Sequence, residues 1–261
     1  MELRQAAETA RDLVREAGEL AARLQETVTA RDKGGGQGPV TEADLAVEAL
    51  LLAGLQCVFP ETPILSEETR QQVDLPAGDL WCVDPIDGTR EYAAGLPEYA
   101  IQVGLIREGV PAAGALALPG IGAVYWGWQG GGCYLDGDPV RLERFEDLPA
   151  ATLIHSRFHQ GSRLDRAVER LDVADRIAAG GVGYKAAQVL LGRAHLYLHA
   201  GGGTTWWDTV APAALILAAG GVVADASGAP LRYADDLRHR QGLLFAAPGV
   251  GERAAARLAQ G

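Results

Sequence analysis

An apolar run in this chain, Leu80-Trp81-Cys82-Val83, leads directly into Asp84-Pro85-Ile86-Asp87-Gly88-Thr89, placing two carboxylates three residues apart. Pro85 fixes its own φ and stiffens the turn. Gly88 lets the backbone come close to a ligand. Thr89 opens a helix through Arg90, Glu91 and Tyr92, and a helix N-terminus offers free N–H groups and the positive end of a dipole. Hard oxygen ligands therefore stand beside an anion-binding turn, a pairing that suits magnesium and a phosphate. Two carboxylates are too few for a two-metal site. Further acids come from Glu67 and Glu68, which end an extended segment, and from Asp208, which follows Trp206-Trp207 at the start of a helix. A carboxylate-rich set without histidine favours Mg²⁺ or Mn²⁺ over zinc, and clustered ionised carboxylates need cations to stay charged. Each residue also has an ordinary structural reading. Asp-Gly is a common turn, Asp208 serves as a helix cap, and spacing alone does not bring Glu67, Asp84, Asp87 and Asp208 together.

The elements that must position these groups are legible from periodicity. Leu3, Ala7, Ala10, Val14, Ala17, Ala21, Leu24 and Val28 recur in steps of three and four, which predicts an amphipathic helix over residues 2–31 packed on a domain through small alanines. Lys33 to Gly38 is a glycine-rich break, read as a mobile loop. Thr41 and Asp44 have capping-box spacing at the head of a second helix that stops before Pro60. Pro63 to Ser66 is extended and Leu80 to Val83 is a buried strand. Residues 99–106, 113–118 and 123–128, followed by the Asp136-Gly137 hairpin signal, form an antiparallel meander. Beyond residue 150 strands and helices alternate, with helices over 163–171, 184–191, 207–219 and 253–259 and strands over 152–155, 195–199, 222–225 and 243–246. That rhythm predicts layered α/β architecture in two parts, an N-terminal α+β half (residues 1–148) and a C-terminal α/β half (residues 149–261).

Composition narrows the function classes. With 23 basic and 34 acidic residues among 261, the net charge is −11, opposite to the balance of nucleic-acid binders. A small anionic substrate remains compatible once bound metal reverses the local field. No apolar run reaches the roughly 18 residues of a membrane span, and Met1 to Ala10 lacks the apolar segment of a secretory signal. A soluble cytoplasmic protein is expected, without nucleic-acid polymer or membrane as partner. Cys57, Cys82 and Cys133 are odd in number and widely spaced, which predicts buried reduced thiols rather than a disulfide framework or zinc site. Asparagine is absent and lysine occurs only at Lys33 and Lys185, a bias shared by heat-tolerant proteins and GC-rich genomes. The five histidines have no ligand spacing, and no Ser-His-Asp arrangement is evident.

Four ordered motifs carry a family resemblance across residues 30–245. Asp84-Pro85-Ile86-Asp87-Gly88-Thr89 resembles the first signature of inositol monophosphatases and their relatives. Trp207-Asp208-Thr209-Val210-Ala211-Pro212, followed by Ala219-Gly220-Gly221, resembles the second. Val40-Thr41-Glu42-Ala43-Asp44 and Ser66-Glu67-Glu68 match two further motifs. The resemblance implies a layered αβαβα fold, a homodimer, lithium sensitivity, and Mg²⁺-dependent hydrolysis of phosphate monoesters with two or three ions per site, Mn²⁺ being the substitute. By position, Glu67, Asp84, the carbonyl of Ile86 and Asp87 would hold metal, with Asp208 completing the second ion's shell. Glu67 and Thr89 would orient the attacking water, Asp44 would accept from Thr89, and Gly88 and Thr89 would give N–H groups to the phosphate. One metal acidifies water and the other stabilises the leaving oxygen, so in-line attack needs only positioning and charge neutralisation from the protein.

The run Asp87 to Tyr92 is similar to the 3′-phosphoadenosine 5′-phosphate phosphatase branch, as is Leu196 to Gly202. Lys185 stands where such proteins carry a lysine, suited to a second phosphate, and Ser156 and Arg157 stand where they contact nucleotide. Inositol-specific relatives place a glutamate before the second-signature aspartate, where this chain has Gly201 to Thr205. Two departures concern the third metal and the pocket: the family serine near Gly183-Tyr184-Lys185 is absent, and the loop before Pro39 lacks its acidic residue. The expected activity is removal of the 3′-phosphate of 3′-phosphoadenosine 5′-phosphate. The alternatives are an inositol-1-phosphate or broad sugar-phosphate monophosphatase and, from another class, a catalytically silent phosphate-binding scaffold.

Overall fold

The structure, a computed structural model, describes residues 1–26, 31–32, 39–69, 78–158, 161–234 and 236–260. In chain order the elements are α1 (Leu3–Gln25), β1 (Arg31–Asp32), β2 (Pro39–Val40), α2 (Glu42–Val58), β3 (Ile64–Ser66), β4 (Leu80–Asp87), α3 (Thr89–Ala93), β5 (Ala100–Arg107), β6 (Val110–Leu118), a 3₁₀ turn (Pro119–Ile121), β7 (Ala123–Trp128), β8 (Gly132–Leu135) and β9 (Asp138–Val140). Then follow β10 (Thr152–Ser156), α4 (Ser162–Leu171), β11 (Asp175–Ala179), α5 (Val182–Leu190), β12 (Leu196–His199), β13 (Thr204–Thr205), α6 (Trp206–Ala218), β14 (Val222–Ala224), β15 (Arg238–His239), β16 (Leu243–Ala246) and α7 (Val250–Leu258).

Side-chain alternation decides the layers. Among the described residues, β3 to β9 form a seven-stranded sheet in sequence order. Trp81, Val83, Ile101, Val103 and Ala115 turn to one face and join Val47, Leu51 and Leu55 of α2 and the alanine stripe of α1 in one core. Leu116 and Tyr125 turn to the opposite face, where α5 and α6 contribute Val189, Ala213 and Ile216. The same cluster takes in Ile154, Tyr197 and Phe245 from a second sheet, ordered β11-β10-β12-β16-β14. Leu153, Leu196 and Leu244 on the far side of that sheet are covered by Leu164 and Leu171 of α4 and Val250 and Leu258 of α7. The result is the five-layered αβαβα arrangement that the motifs implied.

Several local expectations shift. The first helix ends at Gln25, and Arg31–Asp32 pairs antiparallel with Pro39–Val40 instead of extending it. The glycine-rich stretch Lys33 to Gly38 lies outside the described residues. β11 was not anticipated: four of its five residues are exposed, so this edge strand, paired parallel to β10, carries no apolar alternation. Cys82 and Cys133 are buried as expected, but Cys57 is exposed near the end of α2. No helix among the described residues is long and apolar enough to cross a membrane.

The layer of α5 and α6 approaches the first sheet so closely that two strand positions must be glycine. A Cβ on Gly104 would lie 2.5 Å from the backbone nitrogen of Ala211, and one on Gly114 would lie 2.9 Å from the Ala211 Cα. This contact fixes the depth of α6 and hence of Asp208 near its start. Replacing a strand glycine by alanine ordinarily favours the folded state by about 0.4–1 kcal/mol. At Gly104 the obstruction is backbone and cannot rotate aside, so overpacking of about 1–3 kcal/mol wins. Urea unfolding is expected to show Gly104→Ala less stable than wild type, while Gly78→Ala, with nothing within 4 Å of its added carbon, stays within about 0.5 kcal/mol.

Candidate active site

Strict alternation along β4 would turn Asp87 away from Asp84, because residues three apart face opposite sides of a strand. The ladder with β5 pairs Asp84 with Gln102 and Asp87 with Ala100, so β4 uses one residue more than its partner over this span. That bulge re-phases the strand. Ile86 falls into the α1–α2 core, and Asp87 returns to the face of Asp84. Asp208, on the first turn of α6, meets them there: one carboxylate oxygen from each of Asp84, Asp87 and Asp208 lies within 4.8 Å of the others. Glu67 lines the same cavity of about 560 Å³. The structure thus brings together the four acids that spacing alone left apart.

Three of the surrounding acids are anchored by backbone or hydroxyl donors. Asp87 Oδ2 accepts from the Gly183 N–H at 2.6 Å, at the N-terminus of α5. Asp208 Oδ2 accepts from the Thr205 N–H and hydroxyl at 2.5 and 2.8 Å. Asp44 closes the capping box of α2 with Oδ2, taking the Thr41 N–H and hydroxyl at 2.7 and 2.6 Å, which leaves Oδ1 facing the Thr89 hydroxyl at 3.3 Å. Its capping role and its contact with Thr89 therefore coexist on separate oxygens. The Thr89 hydroxyl also lies 3.0 Å from the Ile86 carbonyl. Gly88 holds φ +90°, and a Cβ there would meet the Glu98 carbonyl at 2.9 Å, so the turn into α3 requires glycine.

A residue that motif reasoning missed organises the Glu67 loop. Glu48, buried on α2, accepts from the Ser66 hydroxyl and from the Glu68 and Thr69 N–H groups at 3.1 Å each. Its signal was faint: Glu48 follows Asp44 by four residues and so shares its buried helical face.

Near Asp87, on the same helix that anchors it, Lys185 is 3% exposed and lies 5.1 Å over the Tyr197 ring. It donates to the Gly180 carbonyl at 2.9 Å and to that of Gly181. Burial brings its ammonium down to about 8, against the opposing pull of Asp87, Glu91 and Asp208. Ser156 lines the cavity, whereas Arg157 is absent from its lining. The Arg157 guanidinium lies 2.7 Å from Glu98 and 3.5 Å from Glu91, and Glu98 in turn accepts from the Gly180 N–H at 2.8 Å. The rim carries Phe158, 53% exposed, with the Arg90 guanidinium 5.3 Å from its ring centre, and the exposed Arg238.

The acids fit a hard cation. Both oxygens of Asp84 are buried without a hydrogen-bond partner. Burial above all, then the charges of Glu67, Asp87, Asp208 and Asp44, push its carboxyl well above the usual range. Burial also raises Asp87, and burial with Asp87 and Glu67 carries Asp208 to about 7. An all-oxygen donor set under mutual repulsion is the environment that Mg²⁺ or Mn²⁺ relieves.

Fold and site together define a metal-dependent phosphatase of small phosphorylated substrates, and the chain belongs to the inositol monophosphatase family, whose model matches residues 2–260. It is 31% identical over 202 residues to the 3′(2′),5′-bisphosphate nucleotidase CysQ of Salmonella typhimurium, covering 75% of this chain and 79% of that one. It is 34% identical over 231 residues to the inositol-1-monophosphatase ImpA of Mycolicibacterium smegmatis, covering 82% and 77%. The inositol monophosphatase of Anabaena superposes with a TM-score of 0.83 at 24% identity, over 100% of this chain and 97% of that one, which supports the fold.

A cation that relieves the cluster must stabilise the folded chain. Mg²⁺ or Mn²⁺ added to chelated protein at about 100 times its dissociation constant is expected to contribute about 2.7 kcal/mol, read as a rise in melting temperature. Asp84→Asn removes one repelling charge, so the chelated variant should melt no lower than wild type and respond weakly to the ion. Identical melting of chelated and metal-loaded wild type would show that the cluster holds no cation.

Proposed function

We propose that this phosphatase removes the 3′-phosphate of 3′-phosphoadenosine 5′-phosphate, with Mg²⁺ as the cation. The observation that carries the reading is the division of one cavity into an acidic floor and a basic, aromatic wall. Glu67, Asp84, Asp87 and Asp208 make up the acidic floor, while Lys185, Arg90, Phe158 and Arg238, with Glu91 among them, line the rest of the same cavity. A ligand matching both sides carries one phosphoryl group for the floor, further negative charge, and a flat apolar base. Lys185 has three donors, of which the Gly180 and Gly181 carbonyls take two, leaving one for a second phosphate. The exposed Phe158 ring, already faced by Arg90, offers a surface on which a base can stack. Similarity to proteins named as bisphosphate nucleotidases supports the same direction.

In this reading water attacks phosphorus in line as the bond to the 3′-oxygen breaks, giving inorganic phosphate and the 5′-nucleotide. Glu67, Asp84, the Ile86 carbonyl, Asp87 and Asp208 would hold a divalent cation, which when bound would neutralise charge on the phosphoryl oxygens and acidify water. Thr89, with its own proton directed at Asp44 Oδ1, turns an oxygen lone pair toward the water and accepts a hydrogen bond from it; the proton that the water gives up ends on the leaving 3′-oxygen. Asp44 can do this because its other oxygen is committed to the helix cap. Glu67, on a loop held by Glu48, orients the water from the second side. The Gly88 and Thr89 N–H groups point the phosphate along the line of attack.

The similarity to an inositol-1-monophosphatase favours a second reading, in which a polyol phosphate occupies the floor and the wall contributes little. Phosphate release from 3′-phosphoadenosine 5′-phosphate, adenosine 5′-phosphate, inositol 1-phosphate, fructose 1,6-bisphosphate and NADP at fixed Mg²⁺ separates the two. The expected result is kcat/KM at least about 10-fold higher for the first compound than for inositol 1-phosphate. Lys185→Ala should reduce turnover of the bisphosphate about 10-fold or more beyond its effect on monophosphates, the scale of one hydrogen bond to a charged group. Phe158→Ala should weaken the nucleotide alone by about 5–10-fold, consistent with a stacking contribution near 1 kcal/mol. A flat panel, with equal losses on all substrates, would transfer the protein to the broad monophosphatase reading.

A further inference from the structure

We propose that Gln102 is a positioning residue for Asp84, holding that carboxylate from the neighbouring strand in the orientation that binds the divalent cation. The inference rests on the metal reading of the acidic cluster and extends it to a group outside the cavity wall.

Among the described residues, several buried side chains have a polar atom without a hydrogen-bond partner. Only in Asp84 and Gln102 are two such atoms, both ends of the polar group, left unpartnered. These two residues are direct partners in the β4–β5 ladder. Directly opposed residues of an antiparallel pair project to the same face with Cβ atoms about 4.5–5.5 Å apart, so the two side chains leave the sheet as neighbours. Both residues are 0% exposed, which removes bulk water as their partner.

The surroundings locate the amide further. A Cβ on Gly183 would lie 3.1 Å from the Gln102 Cδ, 3.0 Å from the Ala100 Cβ and 2.6 Å from the Leu116 Cδ1. Gly183 is also the residue whose N–H holds Asp87 at 2.6 Å. Gln102 therefore fills the space beneath both β4 carboxylates, between Asp84 and the α5 terminus that anchors Asp87. Asp87 and Asp208 each have a backbone donor on one oxygen and Asp84 has none. The Gln102 amide is the one side-chain donor that the ladder places at its flank.

No hydrogen bond joins the two side chains in this structure; ionised carboxylate oxygens only accept, so the NH₂ end is the one that Gln102 turns to Asp84 when a cation keeps that carboxylate charged. Such a donor strengthens a ligand's grip by fixing its rotamer, and its loss weakens metal binding by about 10–100-fold. An amide retained only for packing has the opposite signature. A buried amide with neither end paired is unfavourable, and an apolar side chain of the same shape is neutral or better.

Calorimetric titration of chelated protein with Mn²⁺ and Mg²⁺, together with melting of the chelated form, tests this without reference to turnover. Gln102→Met keeps the length and volume and removes the amide. It is expected to bind Mn²⁺ about 10–100-fold more weakly while the chelated variant melts no lower than wild type. Gln102→Asn, which keeps an amide one methylene short, should bind with intermediate affinity, and it supplies the comparison if Gln102→Met folds poorly. Unchanged affinity in both variants overturns the proposal, whatever happens to the melting temperature. Absence of Mn²⁺ binding by wild-type protein would overturn the metal reading itself, a result distinct from loss confined to the variants.

Discussion

Everything at the centre of this molecule answers to the repulsion among buried carboxylates. Unit charges about 4.8 Å apart, the spacing reached by Asp84, Asp87 and Asp208, repel by roughly 3–4 kcal/mol per pair at an effective dielectric near 20. Hydrogen bonds to charged groups contribute about 1.5–3 kcal/mol each. The Gly183 and Thr205 donors are therefore of the same order as the repulsion and do not exceed it for all pairs at once. They fix where the acids point without neutralising them. Lys185 is close enough to act on Asp87, but its Nζ is directed at the Gly180 and Gly181 carbonyls. A site so arranged keeps its charge deficit for something that arrives from outside.

The fold converts that constraint into geometry by drawing the acids from β4, α2, α6 and the loop after β3. A bulge returns Asp87 to the face of Asp84, a capping box holds Asp44 at the head of α2, a second Thr–Asp pair holds Asp208 on α6, and Glu48 secures the Glu67 loop. Gly104 and Gly114 admit α6 against the first sheet, so packing in the middle layer sets the distance between Asp208 and β4. Arg157 belongs to this scaffold: tied to Glu98 and Glu91, it braces the Gly180 corner from which α5 starts.

Much of this was legible in the chain. Asp84 through Thr89, the Thr41–Asp44 box and the Trp207–Asp208 motif announced their local structures, because their signals lie within six residues. What could not be read depends on pairing between strands or on burial. Nothing in Ile86 shows that a register shift will send it to the outer core and return Asp87 to the inner face. Glu48 and Gln102 look like an ordinary helix charge and an ordinary strand amide until the sheet and α2 bury them. The first helix seemed longer because alternation at Leu24 and Val28 continues the stripe past Gln25, while residues 31–32 pair with 39–40 instead. β11 escaped because an exposed edge strand has no apolar face to display.

The same separation explains why similarity alone does not name a substrate. Proteins named for a bisphosphate nucleotide and for an inositol phosphate match this chain at 31% and 34% identity, and so close a pair of values cannot decide between them. In the proposed mechanism the cleavage chemistry uses the floor, whose acids come from β4, α6 and the Glu48-held loop. The residues proposed for selectivity come from elsewhere: Lys185 from the first turn of α5, Arg90 from α3, Phe158 from just after β10 and Arg238 from the start of β15. Arg90, Phe158 and Arg238 are exposed, and exposed positions tolerate replacement better than packed strands do, so they can change while the floor stays intact. In this chain the wall is cationic and aromatic although the protein as a whole carries a net charge of −11. Positive charge concentrated against that background, in the same cavity as the clustered acids, is the feature on which the proposed preference for a nucleotide bisphosphate rests.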